Sequence, residues 1–113
     1  MGRLTTHVLD TARGVPAAGM AIELYALADG RKLVGSGVTN AHGRTDQPMR
    51  EGPAFRPGLY ELVFAVSAYF QAAGISQGQP PFLDRVPIRF GIADPAGHYH
   101  VPLLVSPWSY TTY

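Results

Sequence analysis

"GMAIELYALADGRKLVGSGV", residues 19–38, decides how this chain folds. Met20, Ile22 and Leu24 alternate with Ala21, Glu23 and Tyr25, the period of two that sends successive side chains to opposite faces of a half-buried strand. Asp29-Gly30 interrupts it with a dipeptide suited to a tight hairpin turn, and Lys32 to Val38 runs on as the returning strand. The alternation recurs in "GLYELVFAV" (58–66), with Tyr60, Leu62 and Phe64 on one side. It recurs again in "RVPIRFGI" (85–92), where Val86, Ile88, Phe90 and Ile92 share a face and Arg85, Pro87 and Arg89 take the other. Pro87 has no N–H for a ladder and marks an edge. Leu4 to Leu9 at the start, and "YHVPLLV" and "WSYTTY" on either side of Ser106-Pro107, bring the count to seven or eight strands. The 13 Gly and 10 Pro fall mostly between these short apolar stretches, which favours many strands over long helices. One stretch differs: "SAYFQAAGIS" (67–76) is Ala-rich and ends at Gly74, as a short helix would, before the loop "SQGQPPFLD" (76–84). The pattern predicts an all-β sandwich with a single helix on one connection.

A chain of 113 residues has the size of one domain, taken here as residues 1–113. Its 46% hydrophobic and 15% charged residues are a globular composition, and a formal net charge of +1 gives no reason to expect nucleic acid or an acidic membrane as partner. With no Cys there is no disulfide, thiolate metal site or thiol nucleophile. Met1 to Asp10 lacks the charged start and apolar run of a secretory signal, and no segment has the length of a membrane span, so the expected location is the cytoplasm.

Chemistry concentrates at the two ends and in one turn. Alternation places His98, His100, Pro102 and Leu104 on one face of the late strand and Tyr99, Val101, Leu103 and Val105 on the core side. His7 is likewise outward, with Thr5 and Leu9. Outward histidines can be merely solvated. Two on one strand face can also begin a zinc site, although Asp94 is the only carboxylate near in sequence. A third role is general acid or base, for which the ordinary histidine pKa is well placed. The turn "VTNAHGRTDQP" (38–48) contains Arg44, a side chain able to clamp an oxyanion or a planar urea-like group in two-pronged fashion.

Three motifs in order, "LTTHVLDTARGVPAAGMAIELY", "TNAHGRTD" and "HYHVPLLVSPWSYTTY", resemble the 5-hydroxyisourate hydrolases, the transthyretin-related enzymes of urate breakdown, nearly end to end. The resemblance implies a transthyretin-like (prealbumin-like) β-sandwich of two four-stranded sheets with one short helix. It implies a homotetramer, a dimer of dimers around a central channel with sites at subunit interfaces, and no cofactor. It maps the active site onto His7, Arg44 and His100, a set that the hormone carrier transthyretin lacks, and it places Tyr113 among the substrate-binding residues. His98 is then a neighbour of the site. The family closes on Tyr-Arg-Gly-Ser where this chain ends at Tyr113, and appending those three residues is expected to raise catalytic efficiency. His42 stands where the family turn carries Asp, a position expected to need mainly tolerance of unusual backbone angles. Two other classes remain beside the hydrolase: a small-molecule binding protein using the same channel, and a generic accessory sandwich.

Overall fold

The alternating segments pair as two sheets facing each other across a single apolar interior. The computed structural model describes all of residues 1–113. Its strands are β1 (Arg3–Asp10), β2 (Val15–Pro16), β3 (Ala21–Ala26), β4 (Lys32–Val38), β5 (Arg50–Glu51), β6 (Gly58–Ala65), β7 (Arg85–Ile92), β8 (His98–Val105) and β9 (Tyr110–Thr111), with α1 (Val66–Ala72) between β6 and β7. One sheet runs β4-β3-β6-β7. The other runs β2-β1-β8-β9 and carries β5 as a short additional strand on β1. The transthyretin-like sandwich is therefore present, with β5 widening one of its two four-strand paths. Two strands went unread because β2 and β5 are two residues each, held by pairing with β1 rather than by any pattern of their own.

The β3–β4 hairpin turns at Asp29-Gly30 as expected, with Gly30 at φ +83°. Pro87 lies on β7, an edge of its sheet. The helix spans Val66–Ala72, ending earlier than residues 67–76 would have it. Gly74 is the stop: at φ +78° it lets its own amide reach the carbonyl of Gln71 while Ile75 reaches Phe70, closing the last turn.

Leu4 and Val8 of β1, Ile22 and Leu24 of β3, Leu62 and Phe64 of β6, and Leu103 and Val105 of β8 are fully buried and interlock between the sheets. Each such side chain contributes roughly 1.5–3 kcal/mol by leaving water. Alternation then forces the intervening residues of β1 and β8 outward. No helix is long and apolar enough to cross a membrane.

A buried polar tie sits at the end of β1. Tyr69 of α1 donates its hydroxyl to Asp10 Oδ2 at 2.7 Å, and Arg13 adds Nε–H to the same oxygen at 3.0 Å. Burial alone would raise the Asp10 pKa, but the hydrogen bonds from Tyr69 and Arg13 outweigh it and hold the carboxyl below its ordinary range.

Candidate active site

The site is built on the first and last long strands. β1 and β8 run parallel, with Arg3 opposite His98, Thr5 opposite His100, His7 opposite Pro102 and Leu9 opposite Leu104. Strands 95 residues apart in sequence thus lay their outward residues in two adjacent rows. On its other edge β1 pairs β5 at its start and β2 at its end. The gap between them is filled by the turn after β4.

That turn is organised by Asn40. Its side-chain oxygen accepts the amides of His42 at 2.9 Å and Arg44 at 3.3 Å, and its side-chain N–H donates to Asp46 at 2.9 Å. The turn is fastened to β1 by the Val8 amide, which donates to the Gly43 carbonyl at 2.8 Å, and by a bridge between His7 and Arg44. Gly43 has φ +77° and presses against the β1 backbone, where a β-carbon would collide with the Val8 carbonyl. The unusual backbone angle therefore belongs to Gly43, and no residue other than glycine has positive φ, which corrects the expectation for His42. His42 supplies backbone groups: its carbonyl accepts the Nε2–H of His7 at 2.9 Å. A carbonyl can only accept, so neutral His7 carries its proton on Nε2 and a free lone pair on Nδ1.

Arg44 stands on the ridge between two adjoining concavities. One, of about 440 Å³, is lined by His100, His98, Thr5 and Arg3 together with Arg44 and Asp46. The other, of about 550 Å³, is lined by His7, Asn40 and His42 and shares Arg44 and Asp46. Neither has a hydrophobic residue in its lining. The four ion pairs of the chain employ Arg13, Arg31, Arg85 and Arg89, so the Arg44 guanidinium is left free to hold an anion. Partial burial of the ring, then the positive charge of Arg44, then His7 and His98, push the His100 pKa below the ordinary histidine value. His100 is thereby a neutral imidazole at neutral pH. The structure brings His7, Arg44 and His100 to one outer face, whereas Tyr113, 82% exposed beyond β9, lines neither concavity of the single chain.

No three His, Cys, Asp or Glu side chains converge as metal ligands would. His98 and His100 instead share Thr5: its Oγ1 lies 3.0 Å from His98 Nε2 and 2.8 Å from His100 Nδ1.

The sequence model of the HIUase/Transthyretin family matches residues 4–113, a span that includes both strands and the turn that make this face. The chain belongs to the HIUase/transthyretin family. Among its relatives, the 5-hydroxyisourate hydrolase 2 of Rhizobium meliloti (strain 1021) is 57% identical over 99% of this chain and 94% of that one. The crystal structure of (S)-allantoin synthase matches with a TM-score of 0.94 and 49% identity over 99% of this chain, which spans 43% of that longer one. Sea bream transthyretin, in complex with thyroxine, matches with a TM-score of 0.85 and 33% identity, over 98% of this chain and 92% of that one.

Within this HIUase/transthyretin fold, sequence reasoning missed Thr5, Asn40 and Asp46 as parts of the site. Thr5 had a signal, since alternation put it outward beside His7. What was missing was its partner, because nothing local says that β1 pairs with β8 in parallel. Asn40 had a signal too, as an Asx residue opening a turn.

Proposed function

We propose that this chain, working as the single domain of residues 1–113, hydrolyses 5-hydroxyisourate to 2-oxo-4-hydroxy-4-carboxy-5-ureidoimidazoline. The observation that carries the proposal is an unpaired Arg44 beside a histidine whose pKa is lowered, on the face where His7 also stands. A relative bearing the name 5-hydroxyisourate hydrolase 2 at 57% identity supports it.

The reaction is the opening of a cyclic amide. His100, neutral, takes a proton from water through Nε2 as the oxygen attacks a ring carbonyl carbon. The carbonyl oxygen becomes an oxyanion, which Arg44 stabilises together with the charge of the substrate. When the C–N bond breaks, the leaving nitrogen takes the proton back from His100, and the acyl part departs as a carboxylic acid that loses the remaining water proton to solvent and becomes a carboxylate. His7, its ring held by the His42 carbonyl, orients the water or substrate through Nδ1. General-base help of roughly 10²–10⁴-fold and a few kcal/mol of charge stabilisation are what these groups are asked to supply.

The working form is a homotetramer, a dimer of dimers whose channel is lined by this outer face. Support comes from the face itself. Leu9 and Leu104 are only half-buried on it, and Trp108 and Tyr110, on the turn and strand that follow β8, are 58% and 45% exposed. Assembly is also what brings Tyr113 to a substrate pocket. A carrier reading draws on the fold shared with thyroxine-bound transthyretin, but the charged and polar lining suits an anionic, urea-rich ring better than an apolar hormone.

Decay of freshly prepared 5-hydroxyisourate, followed optically against its spontaneous rate, tests the proposal. Substrate turnover above background that is lost in His100→Asn supports the hydrolase. Binding without acceleration would leave the carrier reading.

A further inference from the structure

The geometry points to Thr5 as a tautomer switch through which the protonation state of His98 decides whether His100 can act as a base. The inference rests on the reading of His100 as the base and adds two positioning residues, neither of which need touch substrate.

It follows from counting protons. Thr5 Oγ1 is within hydrogen-bonding distance of one nitrogen on each ring, His98 Nε2 at 3.0 Å and His100 Nδ1 at 2.8 Å. A hydroxyl has one hydrogen, so it can donate to only one of the two rings, and it uses its hydrogen best when it donates to one ring and accepts from the other. When Thr5 donates to His98, it accepts from His100 Nδ1–H, and the neutral His100 ring then has a bare Nε2 lone pair. That is the base. When Thr5 donates to His100 Nδ1, the neutral ring must carry its proton on Nε2 and can only donate there. His98 selects between the two states. A protonated His98 has an N–H on Nε2 that Thr5 accepts, which frees the Thr5 hydrogen for His100 Nδ1; in that arrangement the base is lost without any charge arriving on His100.

The register of the sheet keeps the three residues in this relation. Thr5 is directly opposite His100, and Arg3, the next outward residue of β1, is opposite His98. The groups whose charge bears on the switch are Arg3 and His7 of β1, Arg44 and Asp46 of the turn, and Glu51 of β5 across from Arg3, besides the two histidines themselves. Three of these are permanent or potential cations around His100, and the lowered His100 pKa fits a ring kept neutral so that its tautomer, rather than its charge, is the quantity under control.

The test uses the full chain and four variants: Thr5→Val, Thr5→Ser, His98→Gln and His100→Gln. Thr5→Val keeps the shape and removes the hydroxyl; kcat should fall on the order of tenfold, inside the roughly 10²–10⁴-fold that a general base contributes. Thr5→Ser should restore most of it. In the acid limb of kcat/KM, each proton that inactivates adds one to the limiting slope of log rate against pH. His98→Gln should lower that slope by one.

A second readout needs no turnover. Ring-nitrogen NMR shifts of His100, at a pH where both histidines are neutral, should report Nδ1 protonated in the parent and a mixture of tautomers in Thr5→Val. Wild-type rates in Thr5→Val, equal damage from Val and Ser, an unchanged slope in His98→Gln, or an Nε2–H tautomer in the parent would each overturn the switch. Loss of activity in His100→Gln alongside such results would overturn the switch alone, whereas full activity in His100→Gln would overturn the base assignment and the switch with it.

Discussion

The amide of Val8 donates to the carbonyl of Gly43 at 2.8 Å, and that bond sets where Arg44 stands relative to His7. Because Gly43 is at φ +77° with the β1 backbone directly against it, Gly43→Ala must both adopt a strained conformation and push the turn off the strand. The expected cost is about 1–3 kcal/mol of stability. The fall in kcat/KM should exceed what the loss of folded protein explains, since Arg44 moves with the turn. Urea unfolding and steady-state kinetics on the same preparation check both.

Substitution at the two groups invoked directly should separate their roles. His100→Asn should lower kcat by roughly 10²–10⁴-fold, as loss of a general base does. Arg44→Lys keeps the charge but loses the two-pronged fork, so much of its loss should appear in KM. Equal kcat/KM for Arg44→Lys and the parent would mean that the fork geometry is irrelevant to the transition state.

The pH response follows from the direction of the His100 shift. A lowered pKa keeps the ring neutral to lower pH, so its base form is complete above the shifted value and is lost as pH falls through it. Followed by its ring resonances, His100 should titrate below about 6.5, the ordinary histidine value. Arg44→Ala removes the second cause of the shift and should move that midpoint upward.

Tyr69→Phe should destabilise the fold by about 1–3 kcal/mol, because the buried Asp10 carboxylate loses a hydrogen bond that water cannot replace. The Asp10 pKa is depressed in the folded state, so its stabilisation is present above the unfolded value of about 3.9 and is lost as pH falls through the lower folded value. Urea midpoints at neutral pH and at pH about 3 should therefore differ less for Tyr69→Phe than for the parent.

On the assembly proposed above, in which the Tyr113 phenol positions substrate at the pocket rim without meeting the reacting atoms, Tyr113→Phe should cost less than either His100→Asn or Arg44→Ala. Sedimentation should find the variant in the same oligomer as the parent. A loss equal to that of His100→Asn would place the phenol in the chemistry itself.

What the sequence determined by itself is whatever depends on neighbours along the chain. Alternation marked the six long strands and turned His7 and His100 outward, and Asp29-Gly30 and Gly74 set a hairpin and a helix end, because backbone sterics act within a few residues. The motifs also placed His7, Arg44 and His100 together as a set, although by resemblance and not by distance. The tertiary structure alone decided that β1 lies parallel to β8, so that Thr5 meets two imidazoles, and that the Asn40 turn docks on the free edge of β1. It also decided that Asp10, charged and next to an exposed loop, is buried against Tyr69. The reason is common to all three: strand pairing and polar burial join residues 35 to 95 positions apart, and the energy that selects the partner comes from closing one apolar core, which no local stretch contains.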